Sequence, residues 1–372
     1  MTSPRARKGT IFLGIAIVLA FIAGLAPMPY AIEKPGPYYN TLGMTTVTDA
    51  KGVKTVVPLI SVSGGPSYPT TGNLDLLTVL LVGNPSSRPN FYQVLTSWFD
   101  PDRTVVPMDL VFPPNETQKQ RDDENQAAMV DSQKEAIAAA FTQMGYHVTE
   151  LTIDKVVSGS PAEGKLQAGD IMVSVNGAAI QTVSQLRAAI AKNGVAQPAQ
   201  FVFTRAGVRH NAEITPELSS TSKNAVPVIK VLGSAVYHFP YQVTIKLDAV
   251  GGPSAGLMFS LGVYDKLTPN NLTGGRKIAG TGTIDSAGEV GPIGGIRQKM
   301  IGARDAGAQY MFVPVDNCDE AYGHVPAQMR AFSVATMSDA LAALKVIALP
   351  DSDSSRAAAL DALPTCKAPT SK

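Results

Sequence analysis

Cysteine and histidine are scarce in this sequence. Its 372 residues include two cysteines, Cys318 and Cys366, and four histidines. Neither cysteine belongs to a CxxC motif or lies in a histidine-rich stretch, which argues against a zinc site. The histidines have no recognisable motif around them either. The sequence therefore predicts no metal site and no cofactor.

Charged residues are also few, and neither sign prevails. Asp, Glu, Lys and Arg make up 16% of the chain, against a usual share of about 25%. The formal net charge is +1, which gives no reason to expect nucleic-acid binding. A chain of this length can hold two or three domains, each with its own core. Its 33 glycines and 27 prolines are spread along the chain, which favours short strands and turns over a helical bundle.

Long hydrophobic runs are absent except at the N-terminus. Residues 11–26 are apolar and uncharged. With Pro27 and Met28 the run reaches the lower end of the roughly 17–25 residues that span a bilayer. Three basic residues precede it, and such residues stay on the cytoplasmic side. The sequence thus predicts a transmembrane anchor over 10–28, a cytoplasmic tail over 1–9, and an extracytoplasmic location for the rest of a single-pass cell-membrane protein.

A cleaved signal peptide is the alternative interpretation of the same run. Cleavage after Ala26 would leave Pro27 as the first residue, which disfavours processing, so we expect the anchor to remain. Outside the cytoplasm, two lone cysteines favour one disulfide. We expect this disulfide to join Cys318 to Cys366.

Short strands separated by turns are predicted from residue 30 onward. We assign 30–128 to a β-rich extracytoplasmic region without a titratable cluster. Near its end, the stretch TQKQRDDENQAAMVDSQKEAIAAAFTQMG has helical character, with its charges on a solvated face. We expect four of its residues to face inward: Ala127, Val130, Ala136 and Ala140.

A second pattern follows the helix. It contains SGSPA at 158–162, AGD at 168–170 and a strand ending in VNG at 175–177, then a predicted helix and the strand AQFVFTR. This order resembles the PDZ family, whose members bind extended peptides by adding a strand to a sheet edge beside a helix. The resemblance implies a PDZ domain over 129–217.

The PDZ resemblance also implies where a peptide would bind. Gly145 and Tyr146 would belong to the loop that holds the peptide carboxylate, and Leu186 and Ile190 would line the groove. A PDZ domain that acts only as a spacer or a steric gate is the alternative. The nearby GSPAEGK also matches the first seven positions of a phosphate-binding loop, but Leu166 follows where that motif needs a hydroxyl. We therefore expect no nucleotide binding.

The tetrapeptide GGPS occurs twice, ending at Ser67 and at Ser254. Pro69 prevents a helix from starting at Ser67, so a turn between strands is expected there. Ser254 instead follows a probable strand and precedes AGLMFSLGVYDKL, whose apolar spacing predicts a helix. Free N–H groups at a helix start could stabilise an oxyanion, which makes Ser254 a candidate nucleophile. An ordinary N-cap serine is the alternative.

Two residues are candidates for the base that would activate Ser254. GPSAG fits the G-x-S-x-G elbow of α/β-hydrolases, in which Asp285 or Asp305 and then His324 would complete the set. His324, however, lies in a loop-like stretch with nothing to orient it. Lys299 instead falls on the inward face of a predicted helix, where burial would lower its pKa and leave a neutral amine. A lysine that extends from the helix edge to solvent is the alternative.

Two separated segments resemble the proteolytic domain of Lon-type serine proteases. They are VGGPSAGLMFSL and AGTGTIDSAGEVGPIGGIRQKMIGARDAGAQYMFVP. The resemblance implies Ser254 as the nucleophile, Lys299 as the base and Thr281 as a supporting residue that helps position the lysine. This sequence departs from the family at Gly251, where an aspartate is common, and at Thr283, where a glutamate is common.

The whole order resembles bacterial membrane-anchored, PDZ-containing Lon-like proteases that lack an ATPase. The expected fold is α+β and multidomain: a transmembrane helix, a β-rich region, a PDZ domain, a Lon-type α/β proteolytic domain over 228–348 and a C-terminal tail over 349–372. The implied function is ATP-independent cleavage of unfolded or flexible protein segments by a serine endopeptidase, with the PDZ domain recruiting or gating them. A homo-oligomer is also implied. A PDZ peptide-binding protein with an inactive protease-like domain, and a histidine-dependent hydrolase, are the alternatives.

Overall fold

The structure is a computed structural model, and it describes residues 14–368 apart from 16–18, 20, 23, 49–50, 114–116, 220–225, 248–249 and 270. Its strands are β1 Tyr30–Asn40, β2 Met44–Thr48, β3 Lys54–Pro58, β4 Ile60–Ser63, β5 Asn73–Val82, β6 Thr104–Pro107, β7 Thr149–Val156, β8 Ile171–Val175, β9 Ala178–Ala179, β10 Ala199–Arg205, β11 Val208–Ile214, β12 Glu217–Leu218, β13 Pro227–Val228, β14 Val231–Tyr237, β15 Gln242–Ile245, β16 Lys277–Gly280, β17 Thr283–Ile284, β18 Val290–Gly291, β19 Tyr310–Pro314 and β20 Arg330–Val334. Its helices are α1 Phe91–Trp98, α2 Met108–Val111, α3 Gln118–Gln143, α4 Val183–Asn193, α5 Gly256–Leu267, α6 Ile296–Asp305, α7 Cys318–Ala321, α8 Met337–Ile347 and α9 Arg356–Asp361.

A six-stranded mixed sheet organises the larger part of the chain. Its strand order is β20-β19-β16-β5-β1-β6. The four strands β20, β19, β16 and β5 are parallel, whereas β1 pairs antiparallel with β5 and β6. Every residue of β19 is buried, as expected for a parallel strand covered on both faces.

Helices cover both faces of this sheet. Successive residues of a strand point to opposite faces. Leu76 packs in one apolar cluster with Leu257 of α5, and its neighbour Leu77 packs in another with Ile296 of α6. The helices α5 and α6 therefore lie on opposite sides of the sheet, and α3 and α8 cover α5 further.

The sheet crosses the domain boundary that the sequence predicts after residue 128. Strands β1, β5 and β6 come from 30–128, whereas β16, β19 and β20 come from 228–348. The central pairing joins β5 to β16 in parallel, with Leu76 opposite Gly280. The predicted β-rich region and the predicted proteolytic region thus share one sheet.

A second sheet carries the PDZ-like pattern. Its order is β11-β10-β8-β7-β14, with β9 paired to β8, and α4 packs against it. Asp170 of the AGD motif is fully buried and accepts two hydrogen bonds from Arg205, Nε to Oδ1 at 2.7 Å and Nη2 to Oδ2 at 2.8 Å. Such two-point ion pairs are strong because both partners are charged. The pair ties the AGD turn to β10.

The predicted transmembrane helix over 10–28 is wrong. Within the residues that the structure describes, no helix is long and apolar enough to cross a membrane. The described helical positions of this run end at Gly24, and the N–H of Leu25 donates to the carbonyl of Ile22 at 3.1 Å. Pro27 then pairs with Asn90. The described helical positions thus end four residues before Met28, the predicted end of the anchor. The rest of the run lies outside the described residues: 10–13, 16–18, 20 and 23.

A disulfide joins Cys318 to Cys366, as the sequence predicts. The segment that leads to Cys366 is also held by hydrogen bonds, because the N–H of Ser333 donates to the carbonyl of Pro364 at 2.9 Å. The described part of the predicted tail, 349–368, is therefore fastened to the edge of the six-stranded sheet at β20.

Candidate active site

Ser254 lies in the turn between β15 and α5. Gly252 in this turn has a positive φ of +83°, a conformation that favours glycine. Gly256, the first residue of α5, has no room for a side chain, because a Cβ there would lie 2.9 Å from Cγ2 of Ile284. The glycines of GGPSAG thus permit a tight turn and a close approach of α5 to β17, and they bring Ser254 to the start of the helix.

Lys299 lies in the first turn of α6. Its side chain is 3% exposed, beside the fully buried Ile296 and Met300. Burial lowers the pKa of Lys299 to about 7, and the charge of Glu33 opposes this shift. A buried ammonium loses its hydration, so the neutral form is favoured. Gly295, which caps the helix with a φ of +67°, approaches Val79 too closely for a Cβ.

Thr281 connects the lysine to the serine turn. Nζ of Lys299 donates to Oγ1 of Thr281 at 3.1 Å. Oγ1 of Thr281 in turn donates to the backbone carbonyl of Ser254 at 3.0 Å, and the N–H of Gly282 donates to the same carbonyl at 2.9 Å. Thr281 directly follows β16, a central strand of the sheet. The sheet therefore fixes the position of the first turn of α6 relative to the start of α5.

Ser254 and Lys299 line the same cavity, which has a volume of about 380 Å³. Apolar side chains from β5 and the serine turn form part of its wall, among them Val79, Leu81 and Val250. A hydroxyl and a neutral amine in one cavity are the two groups that a nucleophile and its base require, and neither is a histidine. The cavity can therefore support acyl transfer.

The carboxylate of Glu33 also lines this cavity. Burial raises the pKa of Glu33, Glu320 raises it further, and Lys299 lowers it. Among the described residues, its carboxylate has no hydrogen-bond partner. The sequence pattern did not predict a role for Glu33. The only local signal was one acidic residue after the apolar start YAI of β1.

Comparison with known proteins agrees with this geometry. Residues 237–348 match the family model for the Lon protease (S16) C-terminal proteolytic domain. The chain carries a Lon-type proteolytic domain. Residues 120–215 match the PDZ domain model, so the Lon-type domain follows a PDZ domain.

Individual relatives match over the Lon-type domain. A Lon protease of Fusobacterium nucleatum is 35% identical over 105 residues, which cover 27% of this chain and 13% of that protein. A Lon protease of Helicobacter pylori is 32% identical over 120 residues, which cover 32% of this chain and 14% of that protein. The chain thus spans about a seventh of the length of these curated relatives. The solved PDZ domain of an SdrC-like protein from Listeria monocytogenes shares 20% identity, covers 22% of this chain and 85% of that chain, and has a TM-score of 0.20.

The structure separates the alternative base from Ser254. His324 lines a different cavity of about 270 Å³, together with Arg297 and Arg304. Asp285 accepts hydrogen bonds from backbone N–H groups of its own turn. The histidine-dependent arrangement is therefore not assembled around Ser254 in the Lon-type domain.

The first GGPS behaves as a turn. Ser67 is exposed and lies outside any helix. The following N–H, of Tyr68, donates to the carbonyl of Lys266 at 2.9 Å. Ser67 therefore belongs to a loop at the far end of α5.

The departure at Gly251 has a structural reason. A Cβ at Gly251 would lie 2.9 Å from Cβ of Asn125, and the carbonyl of Asn125 accepts from the N–H of Gly252 at 2.8 Å. Helix α3 thus packs directly on the serine turn. An aspartate in place of Gly251 would displace α3.

The predicted peptide-binding residues lie in two environments. Gly145 has a φ of +88°, and the ring of Tyr146 makes an edge contact with Phe141 at 5.6 Å between centroids. Leu186 and Ile190 of α4 are 5% and 4% exposed. Their roles in peptide binding stay predictions.

Proposed function

We propose that this chain is an ATP-independent serine endopeptidase in which Ser254 is the nucleophile and Lys299 is the general base. One observation carries the proposal: Ser254 and Lys299 line one cavity, and Thr281 hydrogen-bonds both the amine of Lys299 and the carbonyl of Ser254. The match of 237–348 to the Lon proteolytic domain supports it.

The reaction begins with proton transfer from the Ser254 hydroxyl to the neutral amine of Lys299. Oγ of Ser254 forms a bond to the carbonyl carbon of the substrate, and the carbonyl electrons move to oxygen. When the intermediate collapses, the peptide C–N bond breaks and the ammonium of Lys299 returns its proton to the leaving amine. Water, deprotonated by the same amine, then hydrolyses the acyl-enzyme and restores Ser254.

Backbone N–H groups at the start of α5 are the proposed donors to the oxyanion. The N–H of Gly256 donates to Pro253, and that of Leu257 donates to Gly282. Among the described residues, the N–H groups of Ser254 and Ala255 have no acceptor. Donors aimed at the developing charge stabilise the transition state most where water is excluded.

We further propose that the substrates are flexible or unfolded segments of extracytoplasmic proteins. The Cys318–Cys366 disulfide supports this location, because such bonds persist in oxidising compartments. A homo-oligomer remains a prediction of the family resemblance.

Cleavage of unfolded casein tests this function. We expect Ser254→Ala and Lys299→Met to lower the rate by about 10³-fold or more, because nucleophile and base act as one unit. His324→Ala should retain the wild-type rate. Activity that survives Lys299→Met but not His324→Ala would support the histidine-dependent hydrolase. A wild type that cleaves neither casein nor denatured periplasmic or secreted proteins would support the peptide-binding protein with an inactive domain.

A further inference from the structure

The edge of the PDZ sheet next to α4 is occupied by a strand of this same chain. Strand β14 pairs antiparallel with β7 along its whole length, from Val231 opposite Val156 to Tyr237 opposite Thr149. PDZ domains bind peptides by adding a strand to a sheet edge beside a helix. Here the added strand is covalently part of the protein.

The side chains of β14 alternate like those of a half-buried strand. Val231, Gly233, Ala235 and Tyr237 are half-buried, and the residues between them are exposed. Val231 and the preceding Ile229 pack in the same apolar cluster as the groove residues Leu186 and Ile190. The inward face of this segment therefore covers the groove that the PDZ resemblance assigns to a peptide.

Gly233 lets the strand lie close to β7. A Cβ at this position would lie 2.9 Å from the carbonyl oxygen of Thr152 and 3.3 Å from Cδ1 of Leu151. The register of the pairing shifts between Leu232 and Gly233. Any residue larger than glycine would thus push β14 away from the sheet edge.

The groove is covered but not filled. A cavity of about 370 Å³ lies where β14 and the start of α4 meet α3 and the turn at Asp285, and its lining includes Gly233, Ala235, Val183 and Glu135. Gly233 and Ala235 place little side-chain volume in this space. A strand with a larger apolar side chain at the position of Ala235 would bury more apolar surface there.

Both ends of β14 continue into paired structure. The N–H of Val157 donates to the carbonyl of Lys230, and the N–H of His238 donates to the carbonyl of Val148. The chain then enters β15, which pairs with β4, and reaches Ser254. The occupying strand therefore lies on the direct path from the PDZ domain to the serine turn.

We propose that residues 231–237 are an internal ligand of the PDZ domain, and that an extended apolar peptide binds this domain only by displacing them. A free peptide can bind only those molecules in which β14 has left the edge. Its apparent affinity is therefore the affinity for the open edge multiplied by the fraction of molecules that are open. This proposal is independent of the Ser254–Lys299 chemistry, because its tests measure binding and strand opening instead of cleavage.

Peptide binding to the full chain tests the displacement. The probe is a fluorescein-labelled peptide with the sequence of residues 230–238 carrying Ala235→Leu. Gly233→Val should release β14 and tighten probe binding by at least 10-fold, whereas the matched control Leu232→Val, at an exposed position, should bind as the wild type does. Circular dichroism verifies that each variant is folded.

A cross-link that fixes β14 to β7 tests the displacement by preventing it. Val236 lies opposite Glu150 in the pairing, and opposite residues in antiparallel strands are close enough for a disulfide. Oxidised Glu150→Cys/Val236→Cys should lose probe binding relative to each single variant. Equal probe affinity of the locked and single variants would overturn the proposal.

Hydrogen exchange decides the matter even if probe binding is below detection. An internal ligand should open without unfolding the domain. The β14 amides that donate to β7 should therefore exchange at least 10-fold faster under native conditions than the β11 amides that donate to β10, because β11 is the other edge strand of this sheet. Equal protection of these two sets would mean that β14 is a permanent strand, and would overturn the proposal.

Discussion

At the scale of single residues, the proposed chemistry depends on the charge of one buried lysine. Burial disfavours the ammonium of Lys299, and Glu33 is the charge that works against this effect. Thr281 gives the amine a fixed hydrogen-bond partner, so its lone pair can be directed elsewhere in the cavity. Glu33 and Thr281 yield separate predictions: Glu33 concerns the charge of the lysine, and Thr281 concerns the position of its amine.

Glu33→Gln should move the acid limb of the cleavage rate to lower pH. The carboxylate of Glu33 raises the pKa of Lys299, so its removal should let the amine become neutral at a lower pH. The measurement is kcat/KM against pH for one peptide substrate. Glu33→Asp, which keeps the charge, is the control. A limb that is unmoved, or moves to higher pH, would contradict the assignment.

Thr281→Val should lower kcat by about 10-fold or more and leave KM nearly unchanged, because a misdirected base affects the transition state more than binding. Valine keeps the shape of threonine but removes the hydroxyl that joins Lys299 to Ser254. Thr281→Ser restores the hydroxyl and should recover most of the rate. A purely structural role for Thr281 would instead lower the melting temperature and leave kcat of the folded fraction unchanged.

At the scale of elements, local patterns predicted the helix that carries Lys299. Helix α6 begins directly after Gly295 and is followed by Gly307, and both glycines have a positive φ. Lys299 was predicted on the inward face of this helix, and it is buried there. Such features are readable because they depend on residues a few positions apart.

For the long helix α3, the sequence pattern predicted the helix but only some of its buried residues. Its presence was predicted, but Ala127 and Val130 are exposed, whereas Met129 is buried. Its first half contacts the serine turn through Asn125, and its second half is buried from Ala136 to Phe141. Because the partners change along the helix, no single inward face describes it.

The Cys318–Cys366 disulfide should contribute measurably to stability. It links positions 48 residues apart, and a loop of this length corresponds to about 4 kcal/mol of lost unfolded-state entropy at most. We expect Cys366→Ser to lower the free energy of unfolding by about 2–4 kcal/mol, measured by urea denaturation, and Thr365→Ser to have little effect. Two free thiols in the wild type, detected by mass spectrometry without reductant, would refute the disulfide.

At the scale of the whole molecule, the sequence did not predict which segments form one body. Strands from 30–128 complete the sheet of the Lon-type domain, and β14 pairs with β7 at the edge of the PDZ sheet. Both pairings join residues that are distant in sequence or belong to segments assigned to different domains. The hydropathy of 10–28 likewise predicted a spanning helix, whereas the described helical positions of this run end at Gly24.

The junction of α3, the PDZ domain and the Lon-type domain should respond to pH. Burial raises the pKa of Glu135 to about 7, and Asp285 and Asp131 raise it further, while Lys134 also borders the cavity. A raised pKa means that the folded state holds its proton more tightly. Stability is thus full below the unfolded pKa of about 4.5 and decreases as pH rises through about 7.

Glu135→Gln should remove this part of the pH dependence. Between pH 5 and pH 8, the free energy of unfolding of the variant should rise by about 1 kcal/mol relative to that of the wild type. This size allows for solvent screening of a half-buried group. Urea denaturation at the two pH values measures the difference. If the free energies of unfolding of the two proteins differ by the same amount at both pH values, Glu135 titrates normally.

The pH dependence of peptide cleavage tests the Ser254–Lys299 pair most directly. The wild-type kcat/KM should rise with pH through a single ionisation near pH 7, where Lys299 becomes neutral. Lys299→Arg, which keeps the positive charge at all accessible pH values, should have no such limb and about 10³-fold less activity. A wild-type profile that is flat from pH 5 to 9, or a Lys299→Arg enzyme that retains the limb near pH 7, would contradict the account.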